Sequence, residues 1–386
     1  MLYIKLDKIS NRKKDQEMYK SKALFNYISK QFTMHNSRII LLCEMVLAII
    51  KMGSVQQSKI AQGIQSKAKT NSITRRIQRF FKEEILCPIK ALKVIFGLFD
   101  WETKITLTLD RTNWKFGKHD INYLMICGVY KGCSIPLCWI LLPHQGNSNT
   151  TDRIDLIDML LRIVPADRIK FLLADREFIG SEWFQYLKKK EIPFCIRLKE
   201  NTLVFDTRRG GLIKLKNLLH NVSAVQSREL HQNLSGIFLR IFATRIATGE
   251  LLILAISGDD NILDAFALYK IRWSIETMFK AFKSSGFNLE NTHQTHSDRL
   301  CKMMVLLAIA YAWSVRIGDI KNNITPIKIK NHGRQEFSFF RYGLQAIQAI
   351  LLRSTVKLQK KLLYLLEKIT LGKELFPDLC KITVMY

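Results

Sequence analysis

The chain is short of acid. Across 386 residues, 33 Asp and Glu stand against 60 Lys and Arg, a formal charge of +27. Such an excess is out of place in an enzyme of small neutral molecules and usual in a protein that neutralises phosphates. Metal-ligand spacings are missing too. The eight cysteines, at 43, 87, 127, 133, 138, 195, 301 and 380, form no C-x2-C pair, and no paired histidine spacing accompanies them, which argues against a zinc site. No signal peptide is present, so the expectation is reduced core thiols in a cytoplasmic protein rather than a disulfide framework. Long apolar runs are also lacking. Ile39 to Ile50, broken by Glu44, and Met303 to Trp313 are too short to span a bilayer and read as buried helices. Neither end shows a clear lipid-facing pattern, so no membrane partner is expected. There is no internal repeat and no low-complexity tract.

What is present is a large hydrophobic fraction, 48%, in a chain long enough for two or three domains. The charge is unevenly placed. Residues 1–98 carry 19 basic and 6 acidic side chains and residues 321–386 carry 12 and 4, which leaves only +6 for the middle. Both ends read as polyanion-binding flanks. Residues 1–98 read as helical. Within Val55 to Lys82 a short helix with Ile60, Ala61 and Ile64 inward precedes a second from about Ser72. In the second, Ile73, Ile77 and Phe80 pack while Ser72, Arg75, Arg76 and Arg79 line the other side. This is the form of a helix-turn-helix, whose arginines could pair with guanine edges or phosphates. A solvated basic helix is the alternative.

From Lys104 the texture becomes strict alternation, Ile105, Leu107 and Leu109 against Thr106, Thr108 and Asp110, which predicts a strand with Asp110 at its C-terminal end. Two apolar runs, Ile121 to Tyr130 and Ser134 to Leu142, joined at Lys131-Gly132-Cys133, predict a hairpin beside it. A helix from Thr151 to Ile163, a buried strand Ile169 to Ala174 ending in Asp175, a helix Ser181 to Lys190 and a strand Ile192 to Leu198 follow. Three strands in a meander, helix, strand, helix, strand is the order of a ribonuclease H-like α/β core. In that order Asp110 and Asp175 become neighbours. Residues 199–261 read as a β-rich insertion.

Leu263 to Ser284 predicts a helix on which Tyr269, Arg272, Glu276 and Lys283 share one stripe about 21 Å long. Leu268, Ile271, Ile275, Met278 and Phe282 form its buried face. Trp273 is more often core than a stacking platform and receives no role. Glu276 thus becomes a third acid for the two aspartates. Three converging carboxylates repel one another unless cations neutralise them, and oxygen donors of this kind suit two magnesium ions, which drive in-line displacement at phosphorus.

Asp110 in LDRTNWKFG, Asp175 in LADREFIG and Tyr269-x2-Arg272-x3-Glu276-x6-Lys283 together resemble the DDE transposases of bacterial insertion sequences, in the group with a Y-R-E-K signature. The resemblance covers about residues 104–290. It implies Asp110, Asp175 and Glu276 as catalytic metal ligands for two Mg²⁺, with Mn²⁺ a possible substitute. It further implies Tyr269, Arg272 and Lys283 on DNA phosphates, with only Glu276 of the helix facing the metals. The partners implied are double-stranded DNA, as terminal inverted repeats and target, and a second copy in a homodimer on DNA in the bacterial cytoplasm. Some relatives place a tryptophan in the insertion to take up a flipped base. No Trp occurs between 184 and 272 here.

The expected organisation is a helical DNA-binding domain (1–98), a ribonuclease H-like core in two parts (99–198 and 262–320), the insertion (199–261) and a helical C-terminal region for dimerisation or DNA contact (321–386). Two alternatives accompany a cut-and-paste transposase: a catalytically inactive or domesticated DNA-binding relative, and a ribonuclease H-like nuclease that only hydrolyses.

Overall fold

The alternation that begins at Ile105 produces strand β1 (Ile105–Phe116), because a pleated backbone sends successive side chains to opposite faces. The strand outlasts its apolar residues. Thr112 and Trp114 stay buried, with Trp114 stacked on Tyr123, and β1 turns through Gly117 and Lys118 into β2 (His119–Tyr130). Asp110 therefore lies inside β1, a correction to its expected place at the strand end. Lys131 and Gly132 both take positive φ, 46° and 78°, which a two-residue hairpin turn requires, and β3 (Cys133–Leu141) follows.

In the computed structural model, residues 25–206, 210–223, 226–234, 236–258, 264–331 and 333–352 are described. Outside them lie residues 1–24 of the N-terminal flank, Asp259 and Asp260 of the expected insertion turn, Leu263, most of the apolar series Leu351 to Leu366, and Cys380. Seven described cysteines form no disulfide; Cys43, Cys127, Cys138 and Cys195 are buried, whereas Cys87, Cys133 and Cys301 are only half-buried.

After β3, Asn149 caps helix α1 (Thr150–Leu161) in a reciprocal capping box with Asp152. Strand β4 (Ile169–Ala174), helix α2 (Ser181–Lys189) and strand β5 (Phe194–Arg197) complete the expected series. Residues 199–258 add a small hairpin, β6 (Leu203–Asp206) with β7 (Gly211–Lys214), and three longer strands, β8 (Arg228–Leu234), β9 (Ile237–Arg245) and β10 (Leu251–Ser257). β10 pairs antiparallel with β5, so these strands extend the main sheet. The result is a mixed eight-stranded sheet in the order β3-β2-β1-β4-β5-β10-β9-β8, consistent with a ribonuclease H-like core. Only β1, β4 and β5 run parallel.

The described residues divide into two compact units, Trp101–Phe279 and a helical one made of residues up to Asp100 and from Lys280 onward. The boundary cuts the segment 262–320 that was expected to form one piece of core. In the helical unit, the long helix Ser297–Ile324 is buried over 89% of its most apolar stretch, although its length and composition alone would suffice to cross a bilayer. Its buried Lys302 donates to Phe81 O at 2.8 Å and pairs with Asp298 at 2.7 Å, which satisfies a charge that would otherwise be costly there. Gly318 and Gly343 let this helix and Phe339–Leu352 approach so closely that a Cβ on either glycine would overlap a backbone carbonyl.

Candidate active site

Strand register brings the first two acids together. β1 and β4 are parallel with Leu109 opposite Ala174, so Asp110 and Asp175 are the next residues on each chain, where the pairing ends. Asp175 shares a face with Phe171 and Leu173 by the two-residue period. Over that face packs the short helix Ala265–Lys270, capped by Asp264, whose Tyr269 joins Phe171, Leu173, Cys195, Leu254 and Ile256 in one buried cluster. The Tyr269 hydroxyl emerges from this cluster to donate to Asp175 Oδ1 at 3.2 Å.

A second set of contacts brings the third acid. Thr108, on the same face of β1 as Asp110, is fully buried, with its hydroxyl 3.2 Å from Ser134 Oγ. Ser134 Oγ lies 2.6 Å from Ser274 Oγ on the helix Trp273–Lys280, and Cys127 Sγ donates to Met278 Sδ at 3.6 Å. Burial of Ile275 and Met278 holds that helix on the sheet and carries Glu276 to the acidic end.

The two helices do not form the single rod expected from Leu263 to Ser284. Between them the backbone tightens to i to i−3 bonds, Arg272 N to Tyr269 O at 3.0 Å and Ile275 N to Arg272 O at 3.1 Å. The expected straight 21 Å stripe is thereby broken. Ile271, expected inward, is 36% exposed, Trp273 is 62% exposed, and Arg272 is 7% exposed. Arg272 Nη1 donates to Asp110 Oδ2 at 3.1 Å and Nη2 to Glu276 Oε1 at 2.7 Å, with the guanidinium 5.5 Å from the centroid of the Tyr269 ring. Tyr269 and Arg272 thus meet the acids together with Glu276.

Electrostatics follow from this packing. Burial pushes the Asp110 carboxyl up to about 6, against the opposing pull of the Arg111 amide and the Arg272 charge; Glu177 and Asp175 add to the rise. Burial also raises the Tyr269 hydroxyl, so it stays protonated as a donor. For Arg272, burial works against the charge, but Tyr269, the hydrogen bond to Glu276 and the charges of Asp110 and Asp175 outweigh it and hold the guanidinium firmly protonated. Three carboxylates around one guanidinium leave a net charge of −2, the complement of a divalent cation with a preference for hard oxygen donors. Among the described residues no group of three His, Cys, Asp or Glu side chains is close enough to hold a metal ion, since Arg272 stands between Asp110 and Glu276. The donor chemistry fits such an ion.

Residues that sequence reasoning passed over brace the two strand ends. Arg111 donates to both carboxylate oxygens of Glu177, at 3.3 and 3.2 Å, and to Asn122 Oδ1 at 3.1 Å. Arg153, buried on α1, donates to the carbonyls of Ser148, Glu177 and Ile179. A signal was available, since Arg111 and Glu177 stand inside the motifs LDRTNWKFG and LADREFIG.

The other expected site residues lie in the helical unit. Lys283 pairs with Glu290 at 3.2 Å. Arg75 and Arg79 are exposed on the helix Thr70–Glu83, whereas Arg76 is half-buried and pairs with Glu44 at 3.8 Å.

Residues 100–313 match the model of the transposase DDE domain. The chain belongs to that family. It is accordingly a transposase, and the family generally uses divalent metals. No curated protein matches the DDE chain in sequence. Twelve solved chains are similar. One is a piggyBac transposase in a synaptic complex with hairpin DNA, 11% identical over 87% of this chain and 78% of the other, with a TM-score of 0.46. Another is an endonuclease V from Bacillus subtilis, 12% identical over 57% of this chain and 91% of the other, with a TM-score of 0.23.

Proposed function

We propose that this chain is the cut-and-paste transposase of a bacterial insertion sequence, of the group with the Y-R-E-K signature. It binds terminal inverted repeats as a homodimer, cleaves DNA at the transposon ends and joins the 3′ hydroxyls to target DNA. One observation carries the reading: Tyr269, Arg272 and Glu276 of that signature meet Asp110 and Asp175 in one hydrogen-bonded cluster.

In this reading Asp110, Asp175 and Glu276 supply the oxygen ligands. Two Mg²⁺ ions held there, or Mn²⁺ in their place, would supply activation of the attacking water or hydroxyl and charge stabilisation at the leaving 3′ oxygen. The side chains do the rest. Tyr269 fixes the orientation of Asp175, leaving its second oxygen free to act as a ligand. Arg272, held over Tyr269, keeps Asp110 and Glu276 from repelling each other and has a guanidinium fork suited to a phosphate once either carboxylate turns away. Lys283 and the exposed Arg75 and Arg79 contact DNA phosphates or base edges; Arg76, tied to Glu44, is the weakest of the expected DNA contacts.

Asp110→Ala tests the reading on labelled duplexes that carry the DNA flanking the gene, in Mg²⁺. Cleavage should vanish while binding persists, and unchanged cleavage would sink the assignment. Pre-cleaved ends offered together with a target plasmid separate a transposase from a nuclease, because a nuclease yields no joined product. A domesticated relative would bind those ends and cleave none of them.

A further inference from the structure

Within the helical unit lies a groove of 580 Å³ that the catalytic reading does not use. One wall is the helix Thr70–Glu83, which presents Arg75, Gln78, Arg79 and Lys82 at positions i, i+3, i+4 and i+7, one continuous face. Gln57 opens into it from the first position of the preceding helix, Gln57–Gly63. The opposite wall comes from outside the helix-turn-helix: Gln294, and Arg299 near the start of the helix Ser297–Ile324.

We propose that this composite groove is a duplex-DNA site, in which Arg75, Arg79, Lys82 and Arg299 neutralise phosphates while Gln57 and Gln78 read base edges. The proposal rests on the DNA-binding reading of the helix-turn-helix and goes further by assigning part of the site to Gln294 and Arg299.

Pairing patterns carry the case. Three nearby cations are matched: Arg38 bonds Glu83 and Glu84 at 2.8 and 3.0 Å, Arg76 pairs with Glu44, and Lys302 with Asp298. The four groove cations have no ion pair or hydrogen bond to any described residue, and among the described residues no acid lines the groove. Four like charges held in one concavity repel one another, and a polyanion relieves that repulsion. Gln57 adds an independent sign. It is 8% exposed, yet its amide meets no hydrogen-bonding partner among the described residues and faces the groove. An amide that is unpaired and open at the groove suits a partner with both a donor and an acceptor, which a phosphate lacks and an adenine edge has. Extent excludes a single small anion: Arg75 to Lys82 covers about 10 Å along the helix axis, the rise of about three successive phosphates.

The test uses the full-length protein and two fluorescent duplexes, one taken from the DNA immediately flanking the gene and one of scrambled sequence. Arg299→Ala should weaken binding to both duplexes alike and reduce the slope of log affinity against log salt by about 1, with Arg299→Lys retaining the slope. Gln57→Ala should leave the scrambled duplex unaffected and lose roughly tenfold on the flanking one. If both variants bind like the unaltered protein while Arg75→Ala with Arg79→Ala loses binding, the composite groove is wrong and the helix-turn-helix reading stands. If the arginine pair also binds normally, that reading fails as well. Equal displacement of DNA by inorganic polyphosphate of matched charge would show a general polyanion patch and overturn the proposal.

Discussion

Replacing Asp110 with Asn should stabilise the protein above about pH 6 while removing its catalysis. The carboxyl is raised from 3.8 to about 6, chiefly by burial. The sign runs as follows. Below about pH 4 both the folded and the unfolded chain hold the proton, and the residue is neutral for stability. As pH rises from about 4 to about 6 the unfolded chain releases its proton first, so folding is progressively disfavoured; above about 6 the cost is constant. Two pKa units at about 1.4 kcal/mol each put that cost near 3 kcal/mol. Asn removes the charge and keeps the oxygen that accepts the Arg111 amide at 2.8 Å. It still offers Arg272 a neutral acceptor, and the pull of Arg272 on the charged carboxylate is already counted in the raised pKa, so the gain is up to about 3 kcal/mol. Trp139 and Trp183, fully buried in the same unit, report the transition by fluorescence. In urea with EDTA, the Asp110→Asn midpoint should rise by up to about 1 M at about pH 8 and stay put near pH 4. A variant less stable than the parent at the higher pH, or shifted equally at both, would refute the argument that the acidic end is held against its own burial energy.

Three further outcomes are expected. Tyr269→Phe keeps the ring in its cluster but loses the bond to Asp175, so single-turnover cleavage should fall about tenfold while stability changes by no more than about 1 kcal/mol. Ser134→Ala strands the buried hydroxyl of Thr108 and the half-buried one of Ser274; chemical denaturation should show a loss of about 1–2 kcal/mol, and an unchanged midpoint would mean that water replaces the serine. Gly343→Leu forces a side chain into the Ser314 carbonyl, and Trp313 fluorescence should report a loss of at least about 3 kcal/mol in the helical unit, with Trp139 and Trp183 much less affected.

The acids were legible because each ends or interrupts a local pattern. Asp110 is the last polar member of an alternation, Asp175 follows a short apolar run, and Glu276 falls at a helical spacing from Tyr269 and Arg272. Arg111, Glu177 and Arg153 were not legible as braces, because their partners lie on other strands and loops, and an arginine beside an aspartate reads equally well as a solvated pair. Arg76 shows the converse. It directly follows Arg75 of the groove face, and only the approach of Glu44 from another helix tells it apart from Arg75 and Arg79.

By itself the sequence determined the order of the core strands and helices, three candidate acids and the family, since those depend on period and spacing along one chain. The direction in which Tyr269 and Arg272 point was decided only in three dimensions. Periodicity placed them on an outward polar stripe, but the packing of Tyr269 against Phe171 and Leu173, and of Ser274 against Ser134, tightens the backbone between the two helices. That turn rotates a buried guanidinium into the acidic cluster and leaves Trp273 in the open.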